Sequence, residues 1–243
     1  MTRRLDQALV DRGLAESRAR AQALIAAGVV TVDGAPETKP ARKVAATAAL
    51  ALTADPLPYV SRAALKLVHA LDAFALDPSG RVALDLGAST GGFSQVLLER
   101  GAAEVWAIDV GHGQLAPALR SAPRLHLIEG LNARDLTAAH VPPPEFIVSD
   151  LSFISLEKAL PPALGLAAPG ATLAALIKPQ FEVGPAFVGK GGIVRDAAAV
   201  TRVRAGIRAF LETSGWIVLG EDTSPIQGGD GNTEYLIAAL KDA

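Results

Sequence analysis

Cysteine is absent from all 243 residues. That removes disulfides, thiolate zinc sites, iron–sulfur clusters and any cysteine nucleophile at once. Histidine is scarce too: His69, His112, His126 and His140 stand apart, without HxH or HxxxH spacing, so no metal site is expected. The first 22 residues carry charges throughout and contain no apolar signal core, which argues against secretion and fits a reducing, cytoplasmic setting. The longest uncharged stretch, Ala159 to Ile177, is interrupted by Pro161, Pro162, Gly165, Pro169 and Gly170. A helix broken that often leaves backbone groups unpaired in lipid, so the stretch reads as a helix, a turn and a buried strand, and no membrane is expected as a partner. Neither sign of charge dominates, with 23 Lys plus Arg against 25 Asp plus Glu, and half the residues are hydrophobic. Such a chain folds, as one large domain or as a domain with a small appendage.

Charge is nevertheless uneven along the chain. Residues 1–50 hold eight basic and five acidic residues, a net of +3 in a chain whose total is −2. A small basic module ahead of a mildly acidic larger one suggests that the first finds a polyanion. Leu5, Ala8 and Leu9 recur at helical spacing; a second helix begins after Ser17 as its cap, turns Ala21, Leu24 and Ile25 inward, and stops at Gly28. Val29–Val32 then reads as a strand and Asp33-Gly34 as a tight turn. This order, on the stretch SRARAQALIAAGVVTVDGAPETKP, resembles the S4 RNA-binding module. The resemblance implies a basic helical surface docking on folded RNA, with Arg4, Arg18, Arg20, Lys39, Arg42 and Lys43 as phosphate contacts. The module is expected over residues 1–54, a Pro-punctuated linker over 55–60, and the larger domain over 61–243.

Within the larger domain, Ser61 is placed to cap a helix with Leu65, Val68, Leu71 and Phe74 on its apolar stripe, which puts Lys66 off the core face. Short apolar runs then alternate with helix-like stretches: Val82–Leu86, Val105–Val110, Leu125–Ile128, Phe146–Val148, Ala171–Ile177, Trp216–Leu219 and Tyr235–Leu240. The expectation is an α/β fold, a mostly parallel Rossmann-like sheet with helices on both faces.

The run Asp85-Leu86-Gly87-Ala88-Ser89-Thr90-Gly91-Gly92-Phe93 leaves the first of these strands and enters a helix. Glycines there let a ligand approach the backbone, and the helix start offers oriented N–H groups. Asp109 ends the next strand, where an acid can accept both hydroxyls of a ribose. The cofactor is therefore read as a nucleoside, with glycines used only for tight packing as the alternative. Strict GxGxxG spacing is missing, and the carboxylate of Asp85 would repel a pyrophosphate while suiting the cationic amino-acid end of S-adenosylmethionine, which is preferred over NAD.

A second constellation comprises Lys66, Asp150, Lys178 and Glu234. Asp150 ends the strand in FIVSDLSF and Lys178 the strand in LAALIKPQF, and strand ends line the ligand crevice of a parallel sheet. Either residue alone could be an ordinary ion pair at a sheet rim. Together with DLGASTGGF, the four resemble the K-D-K-E tetrad of FtsJ-type RNA ribose 2'-O-methyltransferases. With VSRAALKL, AIDVGHGQL, LNARDL, SDLSFISL, IKPQFEVG, GKGGIVRD and GNTEYL in order, the chain is similar to the TlyA family of ribosomal RNA cytidine 2'-O-methyltransferases, often labelled haemolysins. Ala63-Ala64 departs from that family's frequent glycine.

What the resemblance implies is S-adenosylmethionine-dependent methylation of ribosomal RNA from one or both subunits. Gly87, Ala88, Ser89, Gly91, Gly92 and Phe93 would surround the methionine end, Asp109 the ribose, and Asn132 and Ala133 the adenine. Lys178, flanked by Lys66, would be the base, Asp150 would orient it, and Lys66 and Glu234 would hold ribose and lysine. Lys190, in the Gly-rich stretch 184–192, would lie in a loop over RNA. Alternatives are the same reaction on transfer RNA, a non-catalytic RNA-binding assembly factor, and a pore-forming haemolysin, the last without a bilayer-spanning segment to support it.

Overall fold

The computed structural model describes residues 2–15, 17–53 and 58–242. The chain divides into two compact units, Met1–Pro58 and Tyr59–Ala243. Of the linker expected over residues 55–60, residues 55–57 lie outside the described residues. Tyr59 packs against the core of the second unit, and the Val60 N–H donates to Gln95 Oε1 at 2.8 Å.

The first unit runs β1 (Thr2–Arg4), α1 (Leu5–Asp11), α2 (Arg18–Ala26), β2 (Val30–Val32), β3 (Ala35–Pro36), β4 (Lys43–Ala45) and β5 (Leu50–Leu52). Ser17 caps α2 as expected, its side chain accepting from the Arg20 N–H, and Gly28 follows the helix with φ +72°. Asp33 and Gly34 both have positive φ, the geometry of a tight turn between β2 and β3. Leu5, Leu9, Ala21, Leu24, Ile25, Val30 and Val32 close the core.

The second unit runs α3 (Ala64–Ala73), β6 (Val82–Leu86), α4 (Gly92–Glu99), β7 (Glu104–Asp109), β8 (Leu125–Glu129), β9 (Phe146–Ser149), α5 (Leu156–Ala159), α6 (Pro161–Leu166), β10 (Thr172–Ile177), α7 (Pro179–Glu182), α8 (Ala197–Thr213), β11 (Trp216–Thr223) and β12 (Tyr235–Lys241). Its seven strands lie in the order β11-β12-β10-β9-β6-β7-β8, and β12 is antiparallel to both its neighbours. Each strand read from the sequence is present. Both sheet faces are covered: Leu173, Ala175 and Ile177 of β10 belong to the cluster with α6 and α8, and Ala174 and Leu176 to the cluster with α3 and α4. This period of two, on strands apolar in both directions, is what a sheet buried on both sides requires.

Two local expectations fail at α3. The helix starts at Ala64 with no side-chain cap; Ser61 instead places its Oγ where a Cβ on Gly92 would be. The buried face carries Ala64, Lys66, Leu67, Ala70 and Leu71, while Leu65, Val68 and Phe74 are only partly buried. Lys66 is therefore on the inward side, not off it, because carboxylates from elsewhere in the chain meet its ammonium there.

Candidate active site

Register brings the site together. Leu86 pairs with Ser149 and with Ile108, so Gly87, Asp150 and Asp109 emerge at one end of the sheet. Ile177 of β10 pairs with Tyr235 of the antiparallel β12, which sets Lys178, just past one strand, beside Glu234, just before the other. Lys66 reaches the same place from α3. The four side chains are between 3% and 14% exposed. Lys66 Nζ lies 2.6 Å from Glu234 Oε2 and 3.8 Å from Asp150 Oδ2, and Lys178 Nζ lies 2.7 Å from Asp150 Oδ1. The result is a chain of alternating charge, Glu234–Lys66–Asp150–Lys178, with no net charge to leave uncompensated on burial. Lys178 Nζ also donates to Ser152 Oγ at 2.9 Å and to the Asp150 carbonyl at 3.3 Å.

Two openings meet at this tetrad. One is a cleft of about 1220 Å³ that includes Gly87, Ser89, Asp109, Asn132, Ala133 and Asp150 among its walls. Asp109 organises it: Oδ2 accepts from the Ser89 N–H at 2.8 Å and Oδ1 from the Gly111 N–H at 2.7 Å. Each oxygen keeps a lone pair for a further donor. Gly87 has φ +85°, and a Cβ there would come within 3.2 Å of the Asp150 carbonyl, so the backbone requires glycine. Val110, 62% exposed, adds an apolar wall directly after Asp109, joined by Leu131 and Leu151. Carboxylate acceptors for ribose hydroxyls beside an apolar slot for a ring make a donor set that fits S-adenosylmethionine.

Several residues expected at the cofactor lie behind the cleft instead. Asp85 does not line it: the side chain is fully buried, with Oδ2 accepting from Ser94 Oγ at 2.6 Å and Oδ1 without a partner among the described residues. Burial pushes its carboxyl up to about 7, so it does not present the fixed anion expected at a sulfonium amino acid. Its strand position points it at α4 rather than out of the sheet end. Ala88, Gly91, Gly92 and Phe93 are buried in the turn and helix start after β6 and are not among the residues that line the cleft.

The other opening is a recess of about 440 Å³ bounded by Lys66, Lys178, Glu234, Ser152, Phe153, Phe181 and Gln180, with Gly191 and Gly192 of the Gly-rich stretch. Phe153 is 89% exposed on a backbone with φ +65°, and its ring meets Phe181 at 5.0 Å between centroids. Asn232, buried, fastens the Gly-rich stretch here: its Oδ1 accepts from the Val194 N–H and its Nδ2 donates to the Gly192 carbonyl, both at 2.9 Å. Lys190, adjoining, is exposed. The motifs SDLSF and GNTEYL drew attention to Asp150 and Glu234 but not to Ser152, Phe153 and Asn232. Nothing in the sequence assigned a role at the site to Val110, Gln180 or Asp230.

In the first unit, a buried carboxylate arranges the basic residues. Asp6 accepts both Nε and Nη2 of Arg4 at 3.0 Å, Nη2 of Arg18 at 3.1 Å and Nε2 of Gln22 at 2.9 Å. The Arg4 guanidinium foremost, then Gln22 and Arg18, hold this carboxyl well below the usual range despite its burial. Arg4 and Arg18 remain about half exposed, so their other N–H groups face outward. Arg42 pairs with Glu37, Arg20 is half-buried, and Lys39 and Lys43 are exposed.

Among the described residues no group of acids and histidines could hold a metal ion, and no helix is long and apolar enough to cross a membrane.

Comparison with known proteins agrees with this geometry. The FtsJ-like methyltransferase family matches residues 59–241, and the S4 domain family matches residues 3–48. The 16S/23S rRNA (cytidine-2'-O)-methyltransferase TlyA of Mycobacterium tuberculosis is 48% identical over 96% of this chain and 88% of its own. Hemolysin A of Brachyspira hyodysenteriae is 39% identical over 96% of this chain and 98% of its own. A solved structure from Streptococcus thermophilus that also carries a hemolysin name is 39% identical, with TM-score 0.77, and covers 99% of this chain and 89% of that one. With an S4 domain ahead of an FtsJ-like sheet, and the Lys–Asp–Lys–Glu cluster assembled at its strand ends, this chain is a methyltransferase and belongs to the TlyA family.

Proposed function

We propose that this chain methylates the ribose 2'-hydroxyl of cytidine in ribosomal RNA, using S-adenosylmethionine, with Lys178 as the base. The observation that carries the reading is the alternating tetrad at the junction of a cleft roomy enough for a nucleoside cofactor and a recess flanked by aromatic rings. Asp109 and the backbone at Gly87 and Ser89 would hold the cofactor's ribose and methionine end, with Val110 and Leu131 along the ring and Asn132 and Ala133 beside it. When bound, the cofactor supplies a methyl group on a cationic sulfur, already activated.

What the protein must then supply is alignment and a place for one proton. Lys178 already holds one hydroxyl, that of Ser152, at hydrogen-bond distance. A ribose hydroxyl taking a similar position would pass its proton to Nζ after the ammonium paired with Asp150 has released one proton to solvent, leaving a neutral amine with a free lone pair. Asp150, touching both lysines, fixes the direction of the amine, and Glu234 balances Lys66 so that a cation is retained beside the forming oxyanion. Phe153, held outward on a strained backbone, gives a face on which a nucleobase can stack. The basic surface around Asp6 and the exposed Lys39, Lys43 and Lys190 would meet phosphates.

The test is incubation of the full chain with methyl-labelled cofactor and separate small- and large-subunit RNA from cells lacking the modification, followed by nucleoside analysis. The expected product is 2'-O-methylcytidine, abolished in Lys178→Ala with cofactor affinity nearly unchanged. Label on a base, or a large loss of cofactor affinity in that variant, would refute the assignment.

A further inference from the structure

Gln180, two residues beyond Lys178, bounds the recess beside the tetrad, and its Oε1 is shielded from solvent with no hydrogen-bond partner among the described residues. The other end of the same amide is fixed, because Nε2 donates to Asp230 Oδ2 at 3.1 Å. Asp230 is held in turn: its Oδ1 accepts from the Asn232 N–H at 3.1 Å. Turning the amide over would set its oxygen against the Asp230 carboxylate, so Gln180 is locked as an acceptor. A shielded acceptor lacking a donor is destabilising, and native chains rarely retain one.

A donor carried by the substrate would satisfy it. The recess already offers Phe153 and Phe181 for a planar ring and Lys178 for the attached ribose. The two RNA pyrimidines differ on their Watson–Crick edge: cytosine presents an amino donor at C4 and an acceptor at N3, uracil a carbonyl acceptor at C4 and an N–H donor at N3, and the exocyclic position is the one that reverses an acceptor such as Gln180 from matched to mismatched. We propose that Gln180, oriented by Asp230, is the specificity-determining group that selects cytosine over uracil by accepting a hydrogen bond from the exocyclic amine of the target base. This rests on the reading that the target ribose sits at Lys178. Uracil would bring its oxygen against Gln180 Oε1 and leave both acceptors unpaired, a mismatch that polar sites reject strongly. Because this oxygen is shielded in the substrate-free chain, the amine reaches it as the recess opens around the bound base, and the closed recess then excludes water from the acceptor.

The experiment uses the full chain, methyl-labelled S-adenosylmethionine, and ribosomal subunits whose mapped target cytidine is either retained or replaced by uridine. Wild type should favour cytidine by about 10- to 100-fold in kcat/KM, or ~1.4–2.8 kcal/mol. Gln180→Leu keeps the bulk but removes the acceptor; it should bring the ratio close to one by losing rate on cytidine, with cofactor affinity and Tm retained. Asp230→Asn leaves the amide free to settle either way and should also lower the ratio, here with a rise on uridine; it carries the test if Gln180→Leu does not fold. A wild-type ratio in both variants, or no preference in the wild type, would overturn the proposal. Absence of transfer by the wild type to any RNA would instead overturn the parent reading, a result distinct from both.

Discussion

Replacing Glu234 tests whether the tetrad is a reacting centre or an ordinary buried ion pair. Glu234→Gln takes the four charges from neutral to a net +1 and removes the carboxylate 2.6 Å from Lys66 Nζ. Stripping one partner from a buried pair costs roughly 3–5 kcal/mol. The lower end applies here, about 3 kcal/mol, because Asp150 Oδ2 still lies 3.8 Å from the ammonium. In a unit of this size that corresponds to a fall in Tm of roughly 6–12 °C. The double variant Lys66→Met, Glu234→Leu restores neutrality and fills the same volume with apolar groups, so it should return to within about 1 kcal/mol of wild type. Methyl transfer should stay down at least ~100-fold in both, since the alignment at Lys178 is lost in both. Calorimetric Tm and single-turnover transfer, measured side by side, separate the outcomes. A double variant that regains transfer would show that Lys66 and Glu234 only support the fold, and an unchanged Tm in Glu234→Gln would deny the buried ion pair itself.

The pH dependence of stability should bear the mark of Asp85. Its carboxyl is raised to about 7 by burial, above its unfolded value, so the stability it contributes is present below about pH 4 and is lost as pH rises through 7. Stability of the wild type relative to Asp85→Asn should therefore fall by up to about 4 kcal/mol between pH 4 and 8 in urea titrations, and a flat difference would contradict the burial. Arg18→Ala with Arg20→Ala should weaken RNA binding and reduce the salt slope by about one for each phosphate no longer neutralised. Asp6→Asn should weaken binding by loosening Arg4 and Arg18 yet leave more of that slope intact; equal slopes in wild type and the arginine variant would remove this surface from RNA docking.

Elements whose signal is local were legible in the sequence. The seven strands announce themselves as apolar runs bounded by turns, Ser17 as a cap, and Asp33-Gly34 as a turn, because each is decided by a few neighbouring residues. The strand-end positions of Asp150 and Lys178 followed from the same pattern. The inward turn of Lys66 did not: the stripe through Leu65, Val68, Leu71 and Phe74 is the more apolar one, and the choice of the other face is made by carboxylates 84 and 168 positions away. Asp85 lies under the sheet end for a related reason, since successive residues of a strand point alternately to its two faces and the sequence does not say which face opens on the cleft. Phe153, Gln180 and Asp230 acquire meaning only when loops after three different strands close around one space. Asp6 looks like one more surface acid until α2 brings Arg18 and Gln22 to it.

The pairing of β12 with β10 has a consequence for the proposed reacting centre. Glu234 stands one residue before Tyr235, so its place beside Lys178 depends on the pairing of Tyr235 with Ile177. A slip of that ladder by one residue would turn the side chains of β12 to the opposite face and carry Glu234 away from Lys66. One corner of the tetrad is thus held by strand register rather than by any local turn.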